Sequence, residues 1–308
     1  MTKRILLLGK NGQVGWELQR SLAPLGELWA LGRDAASNPH WQGQPLHGDL
    51  ADPDALARTV QLLQPDVIVN AAAYTAVDKA ESEPELAHTI NATAVGVLAQ
   101  QAQALDALLV HYSTDYVFDG SGQQPWPVDA STGPLNVYGH SKLAGEQQIR
   151  ASGAAHLIFR TSWVYAARGG NFAKTMLRLA QERDALSVIN DQWGAPTGAE
   201  LIADVTAHAV RQYLAGDTAC TGTYHLAASG ETSWHGYAQH VLAQAQGQGV
   251  ALRVASEAVA AIPSSAYPVP AQRPANSRLD TTRLQQALGL TLPPWQQGVD
   301  RMLQEILA

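Results

Sequence analysis

Tyr138-Gly139-His140-Ser141-Lys142 sets a phenol and an ammonium four residues apart. On a helix that spacing puts both side chains on one face. The pair suits ketone reduction, which needs a hydride at carbon and a proton at oxygen. A free phenol, with a pKa of ~10, carries its proton at neutral pH but is a scarce base for the reverse step. A lysine cation about 4 Å away would favour the phenolate by up to ~4 kcal/mol at an effective dielectric of ~20. That is at most ~3 pKa units. Lys142 could also reach the ribose hydroxyls of a nicotinamide. One element earlier stands Ser113-Thr114-Asp115. Thr114 can donate a hydrogen bond to the carbonyl oxygen as charge develops there. Y-x-x-x-K alone occurs on any amphipathic helix, and Ser-Thr-Asp alone makes turns. Together they meet the requirements of a carbonyl-reducing site.

The hydride donor is suggested by Gly9-Lys10-Asn11-Gly12-Gln13-Val14-Gly15, which spells G-x-x-G-x-x-G after an apolar strand and at the start of a helix. Glycines allow the tight turn and the close approach of backbone to a pyrophosphate. The helix N-terminus offers free N–H groups to the phosphates. The expected cofactor residues of this loop are therefore Gly9, Gly12 and Gly15. His47-Gly48-Asp49-Leu50 is expected to follow a third short strand. Asp49, with Leu50 beside it, could accept from an adenine amino group or merely cap a helix, and the two readings weigh evenly. Ala71, Ala72 and Ala73 follow the expected strand at 67–70 and leave room for adenosine. NAD-selective sites place an acid at the end of strand two. Here that strand ends in Gly32-Arg33, with Asp34 one residue further on and expected to point away. A guanidinium at Arg33 can clamp a 2′-phosphate, so NADPH is the expected cofactor and NADH the alternative.

The elements that must hold these groups alternate. Strands are expected at residues 4–8, 28–31, 67–70, 108–113 and 156–160, and helices at 12–22, 52–63, 83–105 and 135–150. Continuous apolar strands between helices indicate a parallel sheet covered on both faces. Right-handed crossovers make this an α/β, doubly wound parallel sheet of Rossmann type. Further helices are expected at 171–183 and 197–214, extended segments at 186–190 and 222–227, and an exposed helix at 238–248. Pro263, Pro268, Pro270 and Pro274 mark loops. The expected division is a dinucleotide-binding domain at 1–150, completed by part of 187–225, and a smaller C-terminal lobe, mainly substrate-binding, at 151–308.

A net charge of -7 argues against nucleic-acid and anionic-membrane surfaces. Cys220 is the only cysteine, which excludes an intrachain disulfide and a thiolate metal cluster. The apolar run at 5–8 is too short for a signal-peptide core or a membrane span, so a cytoplasmic enzyme is expected. The histidines show no metal-binding spacing, and neither a G-x-S-x-G elbow nor a P-loop lysine occurs.

The motifs also resemble a known family, the dTDP-4-dehydrorhamnose reductases, from Ile5 to the C-terminus. The resemblance is carried by Gly-Lys-Asn-Gly-Gln-Val-Gly-Trp-Glu-Leu at 9–18, Pro-Asp-Val-Ile-Val-Asn-Ala-Ala-Ala at 65–73 and Ala-Val-Asp-Lys-Ala-Glu at 76–81. It continues through His-Tyr-Ser-Thr-Asp-Tyr-Val-Phe at 111–118 and Leu-Asn-Val-Tyr-Gly-His-Ser-Lys-Leu-Ala-Gly-Glu at 135–146. Phe-Arg-Thr-Ser-Trp-Val-Tyr at 159–165, Asn-Asp-Gln-Trp-Gly-Ala-Pro-Thr-Gly-Ala-Glu at 190–200 and Arg-Pro-Ala-Asn-Ser-Arg-Leu at 273–279 are its most specific parts.

The resemblance implies reduction of the C4 ketone of dTDP-4-dehydro-L-rhamnose, the last step of dTDP-L-rhamnose synthesis. It implies that Tyr138 is the proton donor, Lys142 its partner on the cofactor ribose, and Thr114 a tuner of the carbonyl site. Gly12, Gln13, Val14, Asp49, Ala73, Tyr74, Thr75 and Tyr112 would line the cofactor, and Thr114, Asp115 and Trp163 the deoxysugar nucleotide. It further implies a homodimer around Mg²⁺ held by Glu17, Glu200 and Glu305. Members often carry an aspartate near the end of strand two, and this chain departs from them at Arg33. The rival readings are another sugar-nucleotide reductase or epimerase of the same fold, and a non-catalytic dinucleotide-binding regulatory subunit.

Overall fold

Arg4–Leu8 is apolar on both faces because it lies inside the sheet with helices above and below, and Ile5 to Leu8 are fully buried. In the computed structural model, which describes residues 2–308, this strand is β1. It is followed by α1 (Gln13–Leu22), β2 (Glu27–Leu31), α2 (Pro53–Leu63) and β3 (Val67–Asn70). Then come α3 (Ala94–Leu105), β4 (Leu108–Thr114), α4 (Val137–Ser152) and β5 (His156–Thr161). The second half adds α5 (Phe172–Glu182), α6 (Ala199–Leu214), β6 (Gly222–His225), α7 (Trp234–Gly247), α8 (Thr282–Leu288) and α9 (Trp295–Leu307).

The six strands form one parallel sheet in the order β6-β5-β4-β3-β1-β2. This is the expected doubly wound α/β fold. Alternate strand residues serve opposite faces. Ile5, Leu7, Val67, Val69, Leu108 and Val110 pack with α1, α6 and α8, whereas Leu6, Leu8, Ile68 and Leu109 pack with α2 and α3. The order reverses between β1 and β3, so their C-terminal ends flank the crevice where such sheets bind ligands. A separate core built from α5, α7 and α9 makes the second lobe.

Three expectations need correction. The third strand before Asp49 does not join the sheet. His40–Trp41 and Gln44–Pro45 pair only with each other, across a turn in which Gln42 and Gly43 both have positive φ, 49° and 78°. The helix expected over 83–105 is interrupted by a π turn at Thr89–Thr93. There Asn91 turns inward and bonds Tyr74 N, Tyr74 O and Ser141 Oγ. The Ala/Gln-rich stretch is helical but not exposed, because Tyr237, Ala238, Val241, Leu242 and Ala245 bury one face of α7. Among the described residues, no helix is long and apolar enough to cross a membrane.

Candidate active site

The glycine turn packs as the motif requires. Gly9 has φ +87°, and a Cβ there would stand 2.7 Å from the amide of Ala72. A Cβ on Gly15 would collide with the carbonyl of Gly9, so α1 and β1 approach closely only with glycine at both positions. Gly12 caps α1 without any side-chain bond. The first-turn N–H groups at Gln13 and Val14 are thereby left for an anion. Oε1 of Gln13 is buried without a partner. A phosphate-bearing dinucleotide fits this cradle.

Around the cradle the expected residues divide. Ala73 and Tyr74 are half-buried and Thr75 is exposed beyond β3. Leu50 is buried in the core beneath. Asp49 Oδ1 accepts from Ala51 N at 3.0 Å, so this carboxylate also shapes the entry to α2. Arg33 is exposed just past β2, and Asp34 turns away to accept from Ala36 N. The sequence reading missed Lys10. Its ammonium donates to Ser37 O at 2.8 Å and Asn38 Oδ1 at 3.2 Å, which brings a second cation to the end of β2. Strand pairing brings it there, since the Gly9 and Lys10 amides both donate to Leu31 O, which the sequence alone does not show.

The helix carrying Tyr138 starts at Asn136, whose side chain accepts from Gly139 N at 2.8 Å. Gly139 lies against the carbonyl of Tyr116, where a Cβ would clash. The close approach sets the Tyr138 ring edge-on to Tyr116, with centroids 5.5 Å apart. Burial pushes the Tyr138 phenol up to about 12, the neighbouring Thr114 hydroxyl opposes this, and Asp115 adds to it. Thr114 and Asp115 are buried at the end of β4, and Thr114 Oγ1 donates to Asp115 Oδ1 at 3.1 Å. Burial raises Asp115 to about 6, with Ser277 and Thr114 pulling the other way. Its Oδ2 has no partner. Ser113, by contrast, is occupied. It donates to Glu146 Oε1 at 2.5 Å, in a buried network that Arg160 completes.

Lys142, one turn after Tyr138 on α4, is fully buried. Its Nζ donates to the Tyr112 carbonyl at 2.6 Å and lies 3.3 Å from His111 Nε2. The shift of the Tyr138 phenol comes from its burial, with Thr114 and Asp115 acting on it. A fully buried amine takes the nearest acceptor, here the carbonyl near the end of β4. The Tyr112 hydroxyl meets Thr206 Oγ1 at 2.7 Å. Trp163 stands just past β5 at φ 49° and stacks on Trp234 at 3.6 Å. Gly194 packs on the Trp163 indole, where a Cβ would stand 2.9 Å away.

Glu17, Glu200 and Glu305 lie on α1, α6 and α9, apart from this cluster. Burial raises Glu200. Arg301, 3.6 Å away, opposes the shift, and Glu305 and Glu17 reinforce it. Among the described residues, no three His, Cys, Asp or Glu side chains converge on a metal position.

The RmlD substrate binding domain family matches residues 3–308. The chain is 57% identical over 302 residues to the dTDP-4-dehydrorhamnose reductase of Escherichia coli K12, covering 98% of this chain and 97% of that one. It is 48% identical to the enzyme of the same name from Burkholderia thailandensis, with 99% of both covered. Among solved structures, the Bacillus anthracis dTDP-4-dehydrorhamnose reductase in complex with NADP superposes with a TM-score of 0.85 at 32% identity, covering 99% of this chain and 100% of that one. The Thermus thermophilus UDP-glucose 4-epimerase, at 18% identity and a TM-score of 0.77 with 99% of both chains covered, shares the fold alone.

Proposed function

The chain belongs to the dTDP-4-dehydrorhamnose reductase family, and on that premise we propose that it reduces the C4 ketone of dTDP-4-dehydro-L-rhamnose to dTDP-L-rhamnose. The observation that carries this reading is the meeting of Tyr138 with Thr114 and Asp115 at the C-terminal edge of the sheet that also presents the glycine cradle.

When bound, the nicotinamide supplies the hydride. Tyr138 donates the proton to the carbonyl oxygen, and its high pKa keeps that proton in place until it is needed. Thr114 orients the oxygen, Asp115 anchors a sugar hydroxyl through its unpartnered Oδ2, and Trp163 packs against the deoxysugar. Gly12, Gln13 and Val14 hold the pyrophosphate, while Asp49, Ala73, Tyr74, Thr75 and Tyr112 line the remainder of the cofactor. Arg33 favours NADPH. Residues 1–150, completed from 187–225, serve the cofactor, and residues 151–308 mainly the substrate.

The enzyme works in the cytoplasm as a homodimer. The mutual repulsion of Glu200, Glu305 and Glu17 supports a shared Mg²⁺. A coupled assay with dTDP-4-dehydrorhamnose and NADPH, with the product sugar identified, tests the function. Failure to form dTDP-L-rhamnose, with turnover of another nucleotide ketosugar, would overturn it.

A further inference from the structure

A chain of polar contacts runs from the end of β3 to Lys142. The amide of Ala72 donates to Asn70 Oδ1 at 3.2 Å. That fixes the Asn70 amide, so its Nδ2 faces His111 Nδ1, also at 3.2 Å. An amide NH₂ only donates, so Nδ1 must accept, and the neutral imidazole then carries its proton on Nε2. Nε2 lies 3.3 Å from Lys142 Nζ. A lysine ammonium has three donors and no acceptor. A protonated Lys142 therefore meets N–H with N–H on the His111 side, whereas the neutral amine can accept there and still donate to the Tyr112 carbonyl.

We propose that His111, with its tautomer locked by Asn70, is a positioning residue that lowers the proton affinity of the Lys142 amine. This rests on the reading of Tyr138 and Lys142 as the catalytic pair. The other polar groups around Lys142 are already paired or neutral. On α4, Glu146 favours the ammonium, but its carboxylate already accepts from Arg160, Arg150 and Ser113. Tyr138 on the same helix and Tyr112 on β4 are neutral phenols, both raised by burial. Asp115 lies beyond them against Thr114. Asn70, on β3, is uncharged. Burial takes Lys142 down to about 8. Burial and then the Lys142 charge hold His111 well below its usual range, so the ring stays neutral.

The tautomer is read directly from imidazole nitrogen shifts of ¹⁵N-histidine-labelled, cofactor-free enzyme, with His111 assigned by its loss in His111→Gln. The expected state is bare Nδ1 and protonated Nε2, and the opposite tautomer overturns the proposal. A second measurement titrates [ε-¹³C]lysine-labelled enzyme, with Lys142 assigned by Lys142→Met. In His111→Gln the side-chain carbonyl can accept from the ammonium, so the Lys142 midpoint should rise by about one unit, a tenfold change in proton affinity. The basic limb of the kcat/KM profile should move with it. An unmoved midpoint in a folded His111→Gln enzyme overturns the proposal, and if that variant does not fold, the wild-type tautomer decides. Both spectra need no substrate. A wild type that fails to turn over dTDP-4-dehydrorhamnose would sink the functional reading without touching this test.

Discussion

Arg273 and Asp78 are 195 residues apart in the chain, yet Nη2 of the one donates to Oδ2 of the other at 2.8 Å. Asp78 also accepts from Ala271 N, and Asn136, the cap of the Tyr138 helix, donates to Gln272 O. Residues 271–273 thus strap the second lobe to the cofactor side. The Arg273 bond holds the Asp78 carboxyl below its ordinary range, against some burial. Its contribution to stability is present above the usual carboxylate pKa and is lost as pH falls through the lowered one. Asp78 is 43% exposed, so solvent screens the pair to ~1 kcal/mol or less. Asp78→Asn should leave Tm at neutral pH nearly unchanged but raise KM for the sugar nucleotide severalfold, with kcat retained. An unchanged KM would show that the strap does not shape the substrate site.

Removing the Tyr138 hydroxyl takes away only the proton donor. Tyr138→Phe should bind NADPH normally, as read by fluorescence titration, and lose at least ~10²-fold in kcat. Turnover at the wild-type rate would refute the mechanism.

Glu146 is fully buried among Arg160, Arg150 and Ser113. Burial alone would raise its carboxyl, but the Arg160 bond and charge, with help from Ser113 and Arg150, outweigh that and hold it low. Its stabilising contribution is therefore full above the ordinary carboxylate range and lost as pH falls below it. Arg160→Leu strands the carboxylate and should cost ~3–5 kcal/mol in urea unfolding at neutral pH. The deficit should shrink in acid. A deficit independent of pH would mean lost packing, not lost charge pairing.

Arg33 is exposed at the end of β2, where Asp34 is turned away. A charge-assisted bond to the 2′-phosphate, ~1.5–3 kcal/mol, predicts a roughly ten- to hundredfold preference for NADPH in kcat/KM. Arg33→Ala should erase most of it. If the preference survives, Lys10, held beside Asn38, is the next cation to replace.

If Mg²⁺ bridges two copies through Glu17, Glu200 and Glu305, chelation should shift the enzyme toward monomer. Sedimentation velocity with and without EDTA reads this directly, and Glu200→Ala should mimic the chelator. Identical profiles in all three samples would remove the metal from the account.

The sheet was legible because each strand is a short apolar run bounded by helical periodicity, and β1 to β5 fall within a residue or two of expectation. The glycine turn and Tyr138 were legible because each motif falls at a strand end or helix that the apolar pattern marks, and because Ser113-Thr114-Asp115 stands one element before Tyr138. Lys142 shows where local reasoning stops. Its neighbour on the helix face was evident, but the acceptor that holds it is a carbonyl on β4, supplied by strand pairing. His111 carried no signal, because a histidine inside an apolar strand reads as a core residue. The π turn at Asn91 was hidden for a related reason, since the inserted residue is stabilised by Tyr74 and Ser141, which lie far off in sequence.

The stacked indoles of Trp163 and Trp234, 3.6 Å apart and inclined by 16°, join the end of the sheet to the first turn of α7. Aromatic chromophores held that close share their electronic transitions, and the coupling decays steeply with separation. The protein therefore contains its own optical gauge of how the second lobe sits on the sheet. It can be read without any label, through near-ultraviolet dichroism, as the crevice fills and empties.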